Sequence, residues 1–60
     1  MTLNAAKKRL NQECAFLGCD FDRLMYLLNT NPMIFPQGVN DAYVAYLKTD
    51  EGHNYWCENA

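Results

Sequence analysis

Residues Ala42 to Cys57 read AYVAYLKTDEGHNYWC, and we expect this stretch to decide the fold. Its centre, residues 49–52 (Thr-Asp-Glu-Gly), is typical of a type I turn whose last residue needs a positive φ, which glycine adopts without steric cost. Tyrosine, valine and tryptophan, which favour pleated surfaces, lie on both sides of it. The pattern predicts a C-terminal β-hairpin.

The predicted turn also decides which side chains share a face. If Thr49 lies opposite His53, Tyr46 pairs with Trp56, and side chains alternate between the two faces of the hairpin. One face is nearly all apolar and is expected to meet the core: Tyr43, Ala45, Leu47, Tyr55 and Cys57. The other face is expected to be partly in water: Val44, Tyr46, Lys48, Asn54, Trp56 and Glu58.

A helical alternative exists for the first half of this stretch. Apolar residues recur at helical spacing from Val39 to Leu47, and Asn40 or Asp41 is a suitable N-cap. Under this alternative the chain is a small all-α domain of three helices.

Two helices are predicted ahead of the hairpin. Residues 4–17 are mostly good helix formers that follow Thr2 or Asn4 as a cap, and Gly18 suits the left-handed position just past a helix end. A second, strongly apolar helix is predicted at residues 21–29.

Asp20 is a plausible cap for the second helix, which should end before Asn31 because the residue before a proline avoids the α region. Residues 30–41 are predicted to be a connector, within which residues 33–35 could form a short edge strand. The predicted fold is therefore α+β: one small domain, residues 1–60, with two short N-terminal helices packed on a C-terminal β-hairpin.

Composition limits the classes of function. Sixty residues make a small core, so a second copy of the chain, a metal or a disulfide could add stability. Five basic and seven acidic residues give a net charge of −2, which provides no attraction to phosphate backbones or anionic membranes. No run of about 18 apolar residues is present to span a membrane.

Three cysteines are an odd number for a disulfide framework. The N-terminal residues lack the uninterrupted apolar core of an export signal. Reduced thiols in a cytoplasmic protein are the simplest interpretation.

Zinc binding is a weaker hypothesis that uses every cysteine and the single histidine. Cys14, Cys19, His53 and Cys57 have the chemistry of a zinc site. On a strand, however, residues four apart are separated by about 13 Å, too far to share one tetrahedral ion. No metal and no other cofactor is therefore expected.

No combination of residues indicates an enzyme. A cysteine–histidine nucleophile needs an orienting third group, and no motif surrounds any of the three cysteines. Caps, the turn and the tail account for Asp20, Asp22, Asp50, Glu51 and Glu58, and a glycine-rich phosphate loop is absent from the sequence.

A winged-helix-like DNA-binding regulator is the alternative function. The two predicted helices resemble a helix-turn-helix in outline, and the hairpin would be its wing. The proposed recognition helix, however, has one cation, Arg23, beside Asp20 and Asp22, and the wing tip would carry Asp50 and Glu51, which repel phosphate.

Protein binding is the function that we expect. The pair Tyr46 and Trp56, with Val44 beside it and Phe35 adjoining, would place aromatic surface on the wet face of the hairpin, where it could bind a partner protein or a second copy of the chain. The sequence therefore predicts a small regulatory or inhibitor protein that acts through protein contacts. Chains of this size and charge are often accessory factors of phages or mobile elements.

Overall fold

The computed structural model describes the backbone of residues 1–59 and the side chains of residues 1–57. Over this range it contains four α-helices, one short 3₁₀ helix and no strand. The helices are α1 (Leu3–Leu17), α2 (Phe21–Thr30), α3 (Gln37–Leu47) and α4 (Asp50–Asn59), and the 3₁₀ helix (Pro32–Ile34) joins α2 to α3. The Glu58 side chain, predicted on the wet face of the hairpin, lies outside the described residues.

The predicted β-hairpin is wrong, and with it the α+β fold class, because residues 42–57 lie in α3 and α4. Thr49 caps α4: its Oγ1 accepts a hydrogen bond from the Gly52 backbone N–H at 3.0 Å. Asp50 and Glu51 then lie in the first turn of α4, where carboxylates interact favourably with the helix dipole. The all-α alternative has the correct class, but it did not include the break that separates α3 from α4.

Gly52 is required for close packing between α3 and α4, and not for the geometry of a turn. Among the described glycines only Gly18 has a positive φ, at 69°. A Cβ atom added to Gly52 would lie 1.9 Å from the Tyr46 carbonyl oxygen and 2.9 Å from the Leu47 Cα. The absence of a side chain at this position therefore allows the first turn of α4 to pack directly on the backbone at the end of α3.

The two N-terminal helices are confirmed, with bounds within one residue of those predicted. Thr2 caps α1 by accepting from the Ala5 N–H at 3.2 Å, and Asp20 caps α2 by accepting from the Arg23 N–H at 2.8 Å. The edge strand predicted at residues 33–35 is wrong: these residues lie in and just after the 3₁₀ helix.

The core lies mainly between α1 and α3, which form the most extensive helix pair. Ala6 on α1 and Ala42 on α3 are both fully buried, and such small side chains allow two helices to approach closely. The buried apolar residues are Ala6, Leu10, Leu24, Met25, Leu28, Phe35, Val39, Ala42 and Tyr46. They come from α1, α2, α3 and the segment that follows the 3₁₀ helix, so α4 packs on the outside of this core.

Replacement of Gly52 by alanine tests the contact between α3 and α4. We expect Gly52→Ala to lower the free energy of unfolding by about 1–3 kcal/mol, because overpacking against backbone outweighs the better helix propensity of alanine. The midpoint of thermal unfolding, followed by circular dichroism, should fall by roughly 4–8 °C for each kcal/mol.

The matched control is Gly38→Ala in α3, where an added Cβ would meet only the Arg9 Nε at 4.0 Å. This variant should be as stable as the wild type or up to about 1 kcal/mol more stable. Equal effects of the two substitutions would contradict the close contact at Gly52.

Candidate protein-binding surface

Four large apolar side chains are exposed at the end of α1 and on the 3₁₀ helix. Their exposed fractions are 83% for Phe16, 45% for Leu17, 95% for Met33 and 67% for Ile34. Phe16, Leu17 and Ile34 line one open groove, and Met33 lies on the same 3₁₀ helix as Ile34, outside the lining of the groove. We call these four residues the apolar patch. Adjoining exposed apolar side chains of this kind typically mark interaction sites.

Asn40 holds the 3₁₀ helix against α3. Its Nδ2 donates to the Pro32 carbonyl oxygen at 2.9 Å and to the Phe35 carbonyl oxygen at 3.4 Å. The Phe35 side chain is buried, whereas the neighbouring Met33 and Ile34 point to solvent. The exposed side chains of the 3₁₀ helix are therefore carried by backbone that is tied to the core.

The groove beside the patch is lined by two opposite charges that pair with each other. Arg9, Gln12, Glu13 and Pro36 complete its lining. Arg9 Nη1 lies 3.4 Å from Glu13 Oε1, and the Glu13 side chain is only 10% exposed. Since these two opposite charges pair with each other, the groove presents apolar and neutral polar surface rather than a site for an ion.

The four residues predicted as a binding face do not share one surface. Tyr46 and Phe35 are buried, with exposed fractions of 2% and 8%. Trp56 is half-buried, and Val44 is 49% exposed. Val44 and Tyr46 are two positions apart on α3 and so point to different sides of the helix. Val44 lies instead in a shallow hollow with Met1, Asp41, Ala45, Lys48 and Thr49.

Tyr46 and Trp56 belong to an aromatic cluster that joins α2, α3 and α4. Phe21 contacts Tyr46 and Tyr55 edge to face, with ring centroids 5.7 and 5.9 Å apart, and Tyr55 contacts Trp56 in the same way at 5.2 Å. The Tyr55 hydroxyl donates to Asp22 Oδ1 at 2.6 Å. Each such ring pair contributes about 0.5–1.5 kcal/mol beyond its buried area, so the cluster stabilises the position of α4.

Polar contacts of this cluster extend to α1. The Tyr46 hydroxyl donates to Glu51 Oε2 at 3.2 Å, and the same oxygen lies 2.9 Å from Lys7 Nζ. The Lys7 interaction, followed by the Tyr46 hydrogen bond, lowers the pKa of Glu51. Both ends of the ion pair are about 40% exposed, so solvent and salt screen it, and its main effect is to connect α1, α3 and α4.

Three tyrosines have raised pKa values, in each case chiefly because burial disfavours the phenolate. Burial and the hydrogen bond to Glu51 raise the pKa of Tyr46 to about 12. Burial and the hydrogen bond to Asp22 raise the pKa of Tyr55, and burial raises that of Tyr43 against an opposing hydrogen bond with Trp56.

The four residues considered as zinc ligands lie in two pairs. His53 Nε2 and Cys57 Sγ are 3.8 Å apart, because α4 brings residues four apart onto one face. The strand spacing that argued against zinc therefore does not apply. Cys14 and Cys19 lie together at the end of α1. Among the described residues no three His, Cys, Asp or Glu side chains are grouped so as to hold a metal ion.

The segment predicted as the wing of a winged helix is α4. Helices α1 and α2 are joined by a short turn, as a helix-turn-helix requires, but residues 50–57 are helical rather than a hairpin. None of the described helices has the length and apolar character needed to cross a lipid bilayer.

Comparison with known proteins gave no match: no family model fits the chain, and neither a curated protein nor a solved structure is similar to it.

Sequence reasoning missed the apolar patch. Phe16 lies on the flank of the apolar stripe that Leu3, Ala6, Leu10, Cys14 and Leu17 form along α1. Met33 and Ile34 stand between two prolines, a context that predicted an edge strand rather than an exposed 3₁₀ helix. The sequence did contain one indication that Phe16 is exposed: it falls outside the narrow stripe through Ala6 and Leu10. Both of those residues are fully buried.

The raised tyrosine pKa values predict that stability falls at alkaline pH. The folded pKa of Tyr46, about 12, exceeds the unfolded value of about 10, so its contribution is complete below pH 10 and is lost as pH rises toward 12. We expect the free energy of unfolding to decline over this window, with a shallower decline for Tyr46→Phe. Denaturant titrations at a series of pH values measure both slopes, and parallel curves for the two proteins would contradict the assignment.

Proposed function

We propose that this protein is a small non-catalytic regulator or inhibitor that acts by binding a partner protein through the apolar patch. The observation that supports the proposal is the exposure of Phe16, Met33 and Ile34 on a backbone that Asn40 ties to the core. A side chain that is 95% exposed, as Met33 is, contributes nothing to the packing of this chain, whereas it would lose unfavourable contact with water in a complex.

The area of the patch favours an amphipathic helix of the partner over a second copy of this chain. Its four side chains offer on the order of 500 Å² of apolar surface. A stable interface covers about 800 Å² on each partner, which is more than the patch provides. One helix that lays its apolar face in a groove needs less surface, and it is anchored by side chains at i, i+3, i+4 and i+7.

The charge of the groove supports the same occupant. Arg9 and Glu13 compensate each other, and Gln12 is neutral, so the lining offers no concentrated charge to attract phosphate or a strongly charged peptide. An apolar helix face, whose burial needs no compensating charge, matches this surface. We also propose that the protein is cytoplasmic, because three cysteines are an odd number for a disulfide framework.

Selection from a display library of amphipathic helical peptides tests the proposal. We expect the wild type to select peptides with an apolar stripe, and Ile34→Asp to weaken their binding at least tenfold, because a carboxylate would be buried against the apolar face of the peptide. Isothermal titration with the selected peptides measures the change, and circular dichroism should show that Ile34→Asp stays folded.

Val44→Asp is the matched control, since Val44 is also a half-exposed β-branched residue but lies outside the patch. It should bind the selected peptides as the wild type does. If only Val44→Asp lost binding, the peptides would be shown to bind at Val44 on α3 rather than at the apolar patch. Analytical ultracentrifugation tests whether a second copy of the chain binds instead. Self-association that Ile34→Asp abolishes would show that the partner is a second copy rather than a helix of another protein. The absence of both peptide binding and self-association would overturn the proposal.

A further inference from the structure

Two cysteines meet where α1 ends. The Cys14 carbonyl oxygen accepts hydrogen bonds from the Gly18 N–H at 2.8 Å and from the Cys19 N–H at 3.1 Å. Gly18, with its left-handed φ of 69°, reverses the chain so that Cys19 returns to the last turn of the helix. The backbone of Cys19 is therefore in direct contact with that of Cys14.

This backbone geometry suits a disulfide. Standard bond lengths, together with the 3.1 Å distance from Cys19 N to Cys14 O, keep the two Cα atoms within about 7 Å of each other. Disulfides join Cα atoms that are about 4.4–6.8 Å apart. A bond between these two sulfurs therefore needs little movement of the main chain.

The two thiols are also close to each other and open to small reagents. Both side chains are partly exposed and pack against the edge of the core. Burial raises the pKa of the Cys14 thiol to about 11, and the neighbouring Cys19, with which it shares a hydrogen bond, adds to the shift. Because the thiolate of Cys14 is disfavoured, we expect Cys19 to be the more reactive sulfur of this pair.

We propose that Cys14 and Cys19 form a modification site at which a peroxide produces a reversible intrachain disulfide. The Cys19 thiolate attacks one oxygen of hydrogen peroxide, the O–O bond breaks, and Cys19 becomes a sulfenic acid while hydroxide leaves and is protonated to water. The Cys14 sulfur then attacks the Cys19 sulfur. The S–O bond breaks, and the released hydroxide takes the Cys14 proton as a second water. In total, two thiols and one peroxide give one disulfide and two waters.

The site adjoins the apolar patch but does not depend on the proposed function. Phe16 and Leu17 lie between the two cysteines in the chain, so the disulfide would close a loop around half of the patch. Cys57 provides an internal comparison, because it is exposed on α4 with His53 as its neighbour and has no second cysteine among its described contacts.

Mass spectrometry of the full chain after oxidation tests the proposal. Trypsin cleaves after Arg9 and Arg23, which leaves Cys14 and Cys19 together in the peptide of residues 10–23 and Cys57 in another. The reduced protein is treated with equimolar hydrogen peroxide, and free thiols are then alkylated. We expect the peptide of residues 10–23 to lose two hydrogens and resist alkylation, while Cys57 is alkylated, and dithiothreitol should reverse the change.

Single substitutions assign the order of reaction. Cys57→Ser should oxidise as the wild type does. Cys14→Ser should accumulate a sulfenic acid at Cys19 that a dimedone probe labels, whereas Cys19→Ser should show at least tenfold less label at Cys14. A disulfide to Cys57, equal alkylation of all three thiols, or overoxidation of Cys19 in the wild type without a crosslink would each overturn the proposal.

Discussion

The fold depends on the contact between the first turn of α4 and the backbone at the end of α3. Only hydrogen fits between Gly52 and the Tyr46 carbonyl, where a Cβ would lie 1.9 Å from the oxygen. Because the helices meet there, α4 turns back over the bundle and brings Tyr55 against the aromatic ring of Phe21, with Trp56 packed on Tyr55. A larger residue would push α4 outward and separate these rings.

Tyr46 links this contact to the rest of the core. Its carbonyl faces Gly52, its ring packs on Phe21, and its hydroxyl donates to Glu51, which also pairs with Lys7 of α1. Side chains of α2, α3 and α4 thus meet at Tyr46, which is 2% exposed, and Glu51 extends the contacts to α1. In a chain of sixty residues, whose apolar core is small, such shared contacts replace a larger hydrophobic interior.

The N-terminal helices could be predicted because their ends depend on neighbouring residues alone. Thr2 and Asp20 bond to N–H groups three residues ahead, and Gly18 needs only its own positive φ. Residues 49–52 fit two structures equally well, a type I turn and a helix N-terminus, since threonine, acidic residues and glycine serve in both. Burial of Tyr46 decides between them, and burial depends on α1 and α2, which lie far away in the sequence.

The apolar patch could not be predicted for the same reason, because the exposure of its side chains depends on segments that are distant in the sequence. Whether Phe16 and Ile34 are covered depends on the path of the chain after α2, which periodicity does not describe. The path covers the first half of α1, where Ala6 and Leu10 are fully buried, but leaves Phe16 83% exposed.

Helix α1 therefore has a packed end and an open end, and substitutions at the two ends have different effects on stability. At the packed end, Ala6 and Leu10 are in the core, so a change of side-chain volume costs stability directly. At the open end, substitution of an exposed residue such as Phe16 usually changes the free energy of unfolding by less than about 0.5 kcal/mol. The open end, which carries Phe16 and Leu17 of the patch and Cys14 of the thiol pair, can thus be substituted without loss of the fold.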